Sequence, residues 1–156
     1  MSQDIKQVKT KLGVKKRWVC DLCGGVIESD KDGMLEWDKY FIDDDEIAQN
    51  NFRIVHGRWI KGCRGNRPTD KLADGHLHWY TGADGLNKLL EMLKRPNLDV
   101  DSLLEIIRRL HVDFYEEARS FLGIAREVES LDYDDGDYIP QDDLIRLIRK
   151  YGEKEY

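Results

Sequence analysis

Cys20 and Cys23 stand three positions apart in the stretch RWVCDLCGG, and Cys63 is the one other thiol in a chain of 156 residues. A tetrahedral zinc ion needs four soft or borderline donors, and a C-x-x-C turn supplies two by aiming both sulfurs at one centre about 2.3 Å away. Gly24 and Gly25 follow the pair. Glycine here lets the chain turn through positive φ and leaves backbone N–H groups free to bond to thiolate. A redox pair would instead open a helix after a buried strand, where the dipole lowers a thiol pKa. An odd cysteine count, and an N-terminal stretch MSQDIKQVKTK without the apolar centre of a secretory signal, argue for reduced thiols. Metal binding in a cytoplasmic protein is the expectation.

The other two donors must come from Cys63, His56, His76 and His78. Cys63 sits in the glycine-rich loop KGCRGN, and His56 ends the strand-like run NFRIVH seven residues earlier. The set Cys20, Cys23, His56 and Cys63 makes a closed site of three thiolates and one imidazole, with a net charge of about −1 around zinc and no open position for water. Such a zinc is structural and contributes folding free energy to a unit too small to build its own core. The rival is the pair His76 and His78, two apart and so on one side of a strand. A solvated face opposite Leu77 and Trp79 accounts for them without metal. His111 falls between helices and needs none.

The knuckle CDLCGG, a following hairpin and a second ligand pair resemble zinc-ribbon and treble-clef domains over Trp18 to Cys63. The second pair departs from the family pattern, being spaced H-x6-C where many such domains use C-x-x-C. The resemblance implies a zinc-binding module of a kind used for binding nucleic acid or protein and for scaffolding.

These residues need elements to hold them. GGVIESDKDGMLEWD reads as a hairpin, with Val26 to Glu28 and Met34 to Asp38 as strands and SDKDG as the turn. FIDDDEIAQNN reads as an exposed acidic loop, NFRIVH as a strand, and HLHWY as a strand that buries Leu77 and Trp79. The pattern changes near TGADG, Thr81 to Gly85, to helical period. Asp84 can cap a helix with Leu86, Leu89, Leu90 and Leu93 on one face. Ser102 with Glu105, and Asp113 with Glu116, form capping boxes for two more, and Pro140 and Gly152 bracket a last one. The expected fold is α+β: a basic N-terminal arm (1–17), a small zinc-stabilised β-hairpin module (18–82), and a four-helix C-terminal bundle (83–156).

Charge and composition bound the function. The composition, 40% apolar and 36% charged, is that of a globular chain, and no apolar run approaches the roughly 18 residues of a membrane span. The net charge of −6 is unevenly spread, with six basic residues against Asp4 up to Arg17, and thirteen acidic against six basic from Asp113 onward. The basic arm either contacts nucleic acid or neutralises the acidic half. ESDKDGMLEWDK imitates a calcium loop but places Lys39 where a bidentate carboxylate is needed. LLEIIRRLHVDFYEEARSFL has a helix-turn-helix outline, yet Glu116 and Glu117 would face phosphates. Signature motifs of hydrolases, kinases and dinucleotide enzymes are absent, and no small-molecule substrate is evident.

The reading is a non-enzymatic, zinc-stabilised module that binds another protein or regulates one. An alternative is nucleic-acid binding through Lys15, Lys16, Arg17, Arg58, Trp59, Lys61, Arg64 and Arg67. Two further alternatives are a metal-dependent nuclease of the ββα-metal type with His56 as base, and an acidic mimic of nucleic acid.

Overall fold

The computed structural model describes residues 8–63, 72–129 and 138–152. Two antiparallel sheets come first, then helices. Strand β1 (Trp18–Val19) pairs with β2 (Val26–Ile27), and β3 (Gly33–Phe41), β4 (Ile47–His56) and β5 (Leu72–His76) form a sheet in the order β4-β3-β5. Helices α1 (Gly82–Met92), α2 (Val100–His111), α3 (Tyr115–Ala118), α4 (Leu122–Glu129) and α5 (Gln141–Tyr151) follow. No helix among the described residues is long and apolar enough to cross a membrane.

The hairpin expected across Val26 to Asp38 is not formed. Val26 pairs back with Val19 and Ile27 with Trp18, while Met34 and Leu35 pair with Val55 and Ile54. The physical reason lies in the knuckle, which is itself a reversal: Cys20 N–H donates to Gly25 O at 2.8 Å and Gly24 N–H to Cys20 O at 2.9 Å. The strand that leaves such a turn must run antiparallel to the one that entered it. SDKDG then becomes a 3-10 turn, Asp30–Asp32, capped by Ser29, whose Oγ accepts from Lys31 N–H. It carries the chain from the small sheet to the large one. Asp30 is engaged by Thr81 Oγ1 at 2.7 Å, a role unrelated to calcium.

The acidic loop is shorter than expected, because β3 and β4 extend into it. Only Ile42 to Glu46 form the tip, where Asp43 Oδ1 accepts from the N–H groups of Asp45 and Glu46. HLHWY is also corrected. The strand ends at His76 and Leu77–Trp79 make a 3-10 turn, so burial follows a spacing of three. Leu77 and Tyr80 are buried and Trp79 is half-exposed.

Three capping expectations change, those at Ser102 and Asp113 because the side chains named have tertiary partners. Thr81, not Asp84, stands at the start of α1. Asp99 caps α2 by accepting from Ser102 N–H, while Ser102 Oγ accepts from Phe52 N–H at 2.7 Å, at the edge of β4. Asp113 pairs with Lys15 at 3.0 Å, and Phe114 enters α3 in the left-handed region at φ 68°. Gly85 is required where α1 crosses the preceding turn, since a Cβ there would lie 2.1 Å from the Tyr80 carbonyl carbon. The last helix starts after Pro140 and ends at Tyr151 as its bracketing residues predict.

The helices do not close a four-helix bundle, because they belong to two different cores. The larger core joins Trp18, Ile27, Leu35, Ile54 and Leu77 of the sheet region to Leu89 and Met92 of α1 and to Leu103, Ile106 and Leu110 of α2. It runs straight through the composition change at Thr81 to Gly85. The smaller core is built by Phe114, Ala118, Leu122, Ala125 and the stripe Leu144, Ile145, Leu147 and Ile148. Val8 is buried in it too, so the basic arm is packed from that residue onward.

Candidate metal centre

The β1–β2 turn delivers Cys20 and Cys23, the last residue of β4 delivers His56, and the loop that follows delivers Cys63. One donor atom from each lies within 4.8 Å of all the others, so this group could hold a metal ion. The sulfurs of Cys20 and Cys63 are 3.8 Å apart, and Cys23 Sγ lies 3.3 Å from His56 Nδ1. Cys20 and His56 are buried, whereas Cys23 faces outward.

The backbone is arranged around the thiols as the glycine argument requires. Leu22 N–H and His56 N–H point at Cys20 Sγ, at 3.4 and 3.3 Å, and Gly25 N–H points at Cys23 Sγ at 3.4 Å. Gly24 takes φ +74°. Burial opposes a Cys20 thiolate, but N–H groups from Cys23, His56 and Leu22 outweigh it and bring the thiol down to about 7. For Cys23, desolvation and the neighbouring Cys20 and Cys63 sulfurs push the thiol up, against the Gly25 N–H. Sulfurs this close repel one another as thiolates, and a divalent cation between them would supply the opposing charge. His56 is oriented by its other nitrogen, with Nε2 3.0 Å from Val26 O. Donation of Nε2–H to that carbonyl fixes the tautomer and turns the Nδ1 lone pair to the sulfurs, the usual arrangement for a ligating imidazole.

The knuckle is strapped to the rest of the molecule by Asp21 and Arg109, which the sequence did not single out, and by Glu116, whose role it did not foresee. Asp21 N–H donates to Ile54 O and Ile54 N–H donates back to Asp21 Oδ2, both at 2.8 Å. The same carboxylate oxygen accepts from Arg109 Nη1 at 2.6 Å. Arg109, buried on α2, also reaches Glu116 of α3 with Nε at 2.7 Å and Nη2 at 3.0 Å, and donates to Val19 O. Glu116 in turn accepts from Val19 N–H at 2.9 Å. Burial works against the guanidinium charge, and Glu116 and then Asp21 more than compensate, raising its pKa. Glu117 accepts from the N–H groups of Lys11 and Leu12 at 2.7 and 2.6 Å. Carboxylates that would repel phosphates in a recognition helix are thus internal braces. The legible signal was Arg109 falling three positions after Ile106, beside the apolar stripe of α2.

The other residues named from sequence lie elsewhere. His76 and His78 are outside the four-residue group and make tilted and edge-on ring contacts with Trp59 and Trp79 instead. Lys15 is paired with Asp113, and Arg58 with Asp74 at 3.7 Å. Lys16 and Lys61 are exposed, Arg17 is half-buried and Trp59 is half-exposed. Arg64 and Arg67 lie outside the described residues.

The fold and site therefore define a mixed α/β protein with a candidate Cys3His metal centre. Neither protein-family models, nor curated protein sequences, nor solved structures give a match to this chain.

Proposed function

We propose that the protein is a non-enzymatic binding module built around a structural zinc ion, and that its partner is another protein. The observation that carries this reading is the donor set, with Cys20, Cys23, His56 and Cys63 all within 4.8 Å of one another. Three thiols and an imidazole suit zinc, and four protein donors fill its tetrahedral shell. An ion so enclosed supplies folding free energy and no catalytic position. The donors come from the β1–β2 turn, the end of β4 and the next loop, so binding would lock together segments far apart in the sequence.

The partner surface we favour is the tip of the β3–β4 hairpin. Phe41 and Ile42 are 71% and 55% exposed there, next to the acidic run Asp43 to Glu46. Adjacent apolar side chains in water beside a block of carboxylates suit a partner with an apolar pocket and a basic rim.

Metal content of single variants tests the site. One zinc per chain is expected, lost with Cys63→Ser and His56→Ala but kept with His76→Ala and His78→Ala. A purified protein without zinc would overturn it. For the partner, a photo-crosslinking residue at position 41 should trap one defined protein in the producing cells, and Ile42→Ser should weaken that product. The same yield from position 41 and from an exposed position on α5 would refute the surface.

A further inference from the structure

The loop between His56 and Cys63 and the turn after β5 carry a cluster of rings that the proposed zinc does not use. Trp59 folds back over Gly57, where any Cβ would meet its indole at 2.3 Å. Its ring centroid is 5.3 Å from that of His76, which is 5.3 Å from His78 and 4.8 Å from Trp79. Trp59 and Trp79 are 48% and 47% exposed, whereas Trp18 and Trp37 are buried. Two half-exposed indoles joined through His76, Trp59 tilted at 43° to it and Trp79 edge-on at 77°, form one contiguous aromatic surface rather than a scatter of isolated surface rings.

Cations border this surface. Lys88 Nζ of α1 lies 5.5 Å from the ring centroids of Trp79 and Tyr80. Arg58 adjoins Trp59 and reaches Asp74, two residues before His76 and so on the same face of β5. Lys61 is exposed on the Trp59 loop. Asp74 is the carboxylate within this group, and Asp84 precedes Lys88 by one helical turn. Cations thus outnumber carboxylates here, on a chain whose net charge is −6.

We propose that this face binds single-stranded nucleic acid, with bases stacked on Trp59 and Trp79 and phosphates drawn by Lys88, Lys61 and Arg58. Flat rings bordered by cations accept any base through its π-face, so binding would tolerate changes of sequence. The surface is separate from the hairpin tip. His56 and Phe41 sit at opposite ends of the β3–β4 ladder, roughly 25 Å apart at about 3.3 Å per residue. One surface can therefore fail without the other.

The test is a fluorescence titration of the full chain, with its metal, by a short oligo(dT) strand. Trp18 and Trp37 are buried, so quenching reports Trp59 and Trp79. Saturable quenching is expected, with a slope of about −2 in log K against log salt for three phosphate contacts. Trp59→Ala and Trp79→Ala should each weaken binding by about 5-fold to 100-fold. Phenylalanine at either position should retain most of the affinity, and Lys88→Gln should reduce the slope by about 0.7. Circular dichroism and metal content establish that each variant is folded. Two results would overturn the proposal: absence of quenching at low salt in the folded protein, or unchanged affinity in the folded Trp59→Ala/Trp79→Ala double variant. The first is also what a face reserved for protein would give.

Discussion

The two cores are built differently. The smaller core is an apolar stripe of helical period, in which Leu144, Ile145, Leu147 and Ile148 of α5 meet Phe114, Ala118 and Ala125. The larger core draws its residues from the two-residue strands β1 and β2, from the three-stranded sheet and from two helices, and a pair of strands as short as β1–β2 could not form alone. It is closed at one end by the four-donor centre and joined to the helices by Asp21, Arg109 and Glu116. Both cores bury apolar side chains, the smaller largely along helix faces, and the larger adds a few directional contacts whose loss is expensive.

The largest effect should come from the centre. Cys20→Ala is expected to abolish metal binding and to remove the near-ultraviolet circular dichroism of Trp18 and Trp37, leaving much of the helical signal of α5. Structural zinc in small modules binds with roughly 10–16 kcal/mol, more than a domain's usual net stability. If both signals melted together at the wild-type midpoint, the contrast between the cores would be broken.

Next comes the brace between them. Arg109→Met leaves Glu116 buried without its bidentate partner, at a cost of about 3–5 kcal/mol in urea unfolding. Adding Glu116→Leu should recover much of that loss, because two apolar groups remove the unpaired charge. A single variant as stable as wild type would show that the pair contributes nothing to the join.

Leu147→Ala tests the smaller core alone. A fully buried leucine truncated in this way costs about 2–5 kcal/mol, and the metal content should be unchanged. Loss of zinc in this variant would mean that the cores fold as one unit.

The smallest effect concerns pH. Burial, opposed by the hydrogen bond to Tyr80 O and reinforced by Lys15, lowers the pKa of His111, which packs between the two regions. The unfolded chain then binds the proton more readily than the folded one. The resulting stability is complete above the unfolded value near 6.5 and declines as pH falls below it toward the folded value. His111→Gln should flatten the denaturation midpoint between pH 7 and pH 5 relative to wild type. An unchanged slope would remove His111 from the account.

The legibility of the sequence divides along the same line. The stripe of α5, its Pro140 start and the run NFRIVH were readable, because helical and strand periods are local properties of neighbouring residues. The C-x-x-C turn was readable for the same reason, and Cys63 followed as the last thiol. The partner of β2, the cap of α2 and the roles of Ser102, Asp113, Glu116 and Glu117 were not. Each of those side chains bonds to backbone or charge far along the chain, as Ser102 does to Phe52 and Glu116 to Val19. A local motif such as S-x-x-E names a cap only when nothing distant competes for the hydroxyl.

By itself, the sequence determined which residues could ligate a metal, which segments favour helix and which strand, and where the acidic and basic blocks lie. All of these depend on side-chain chemistry and on spacings of two to seven residues. Tertiary structure alone decided that α1 and α2 belong with the sheets and that a buried arginine ties the knuckle to the helices. It also placed Trp59 beside His76 and Trp79. Those outcomes rest on which distant surfaces exclude water from one another, and no periodicity within a single segment carries that information.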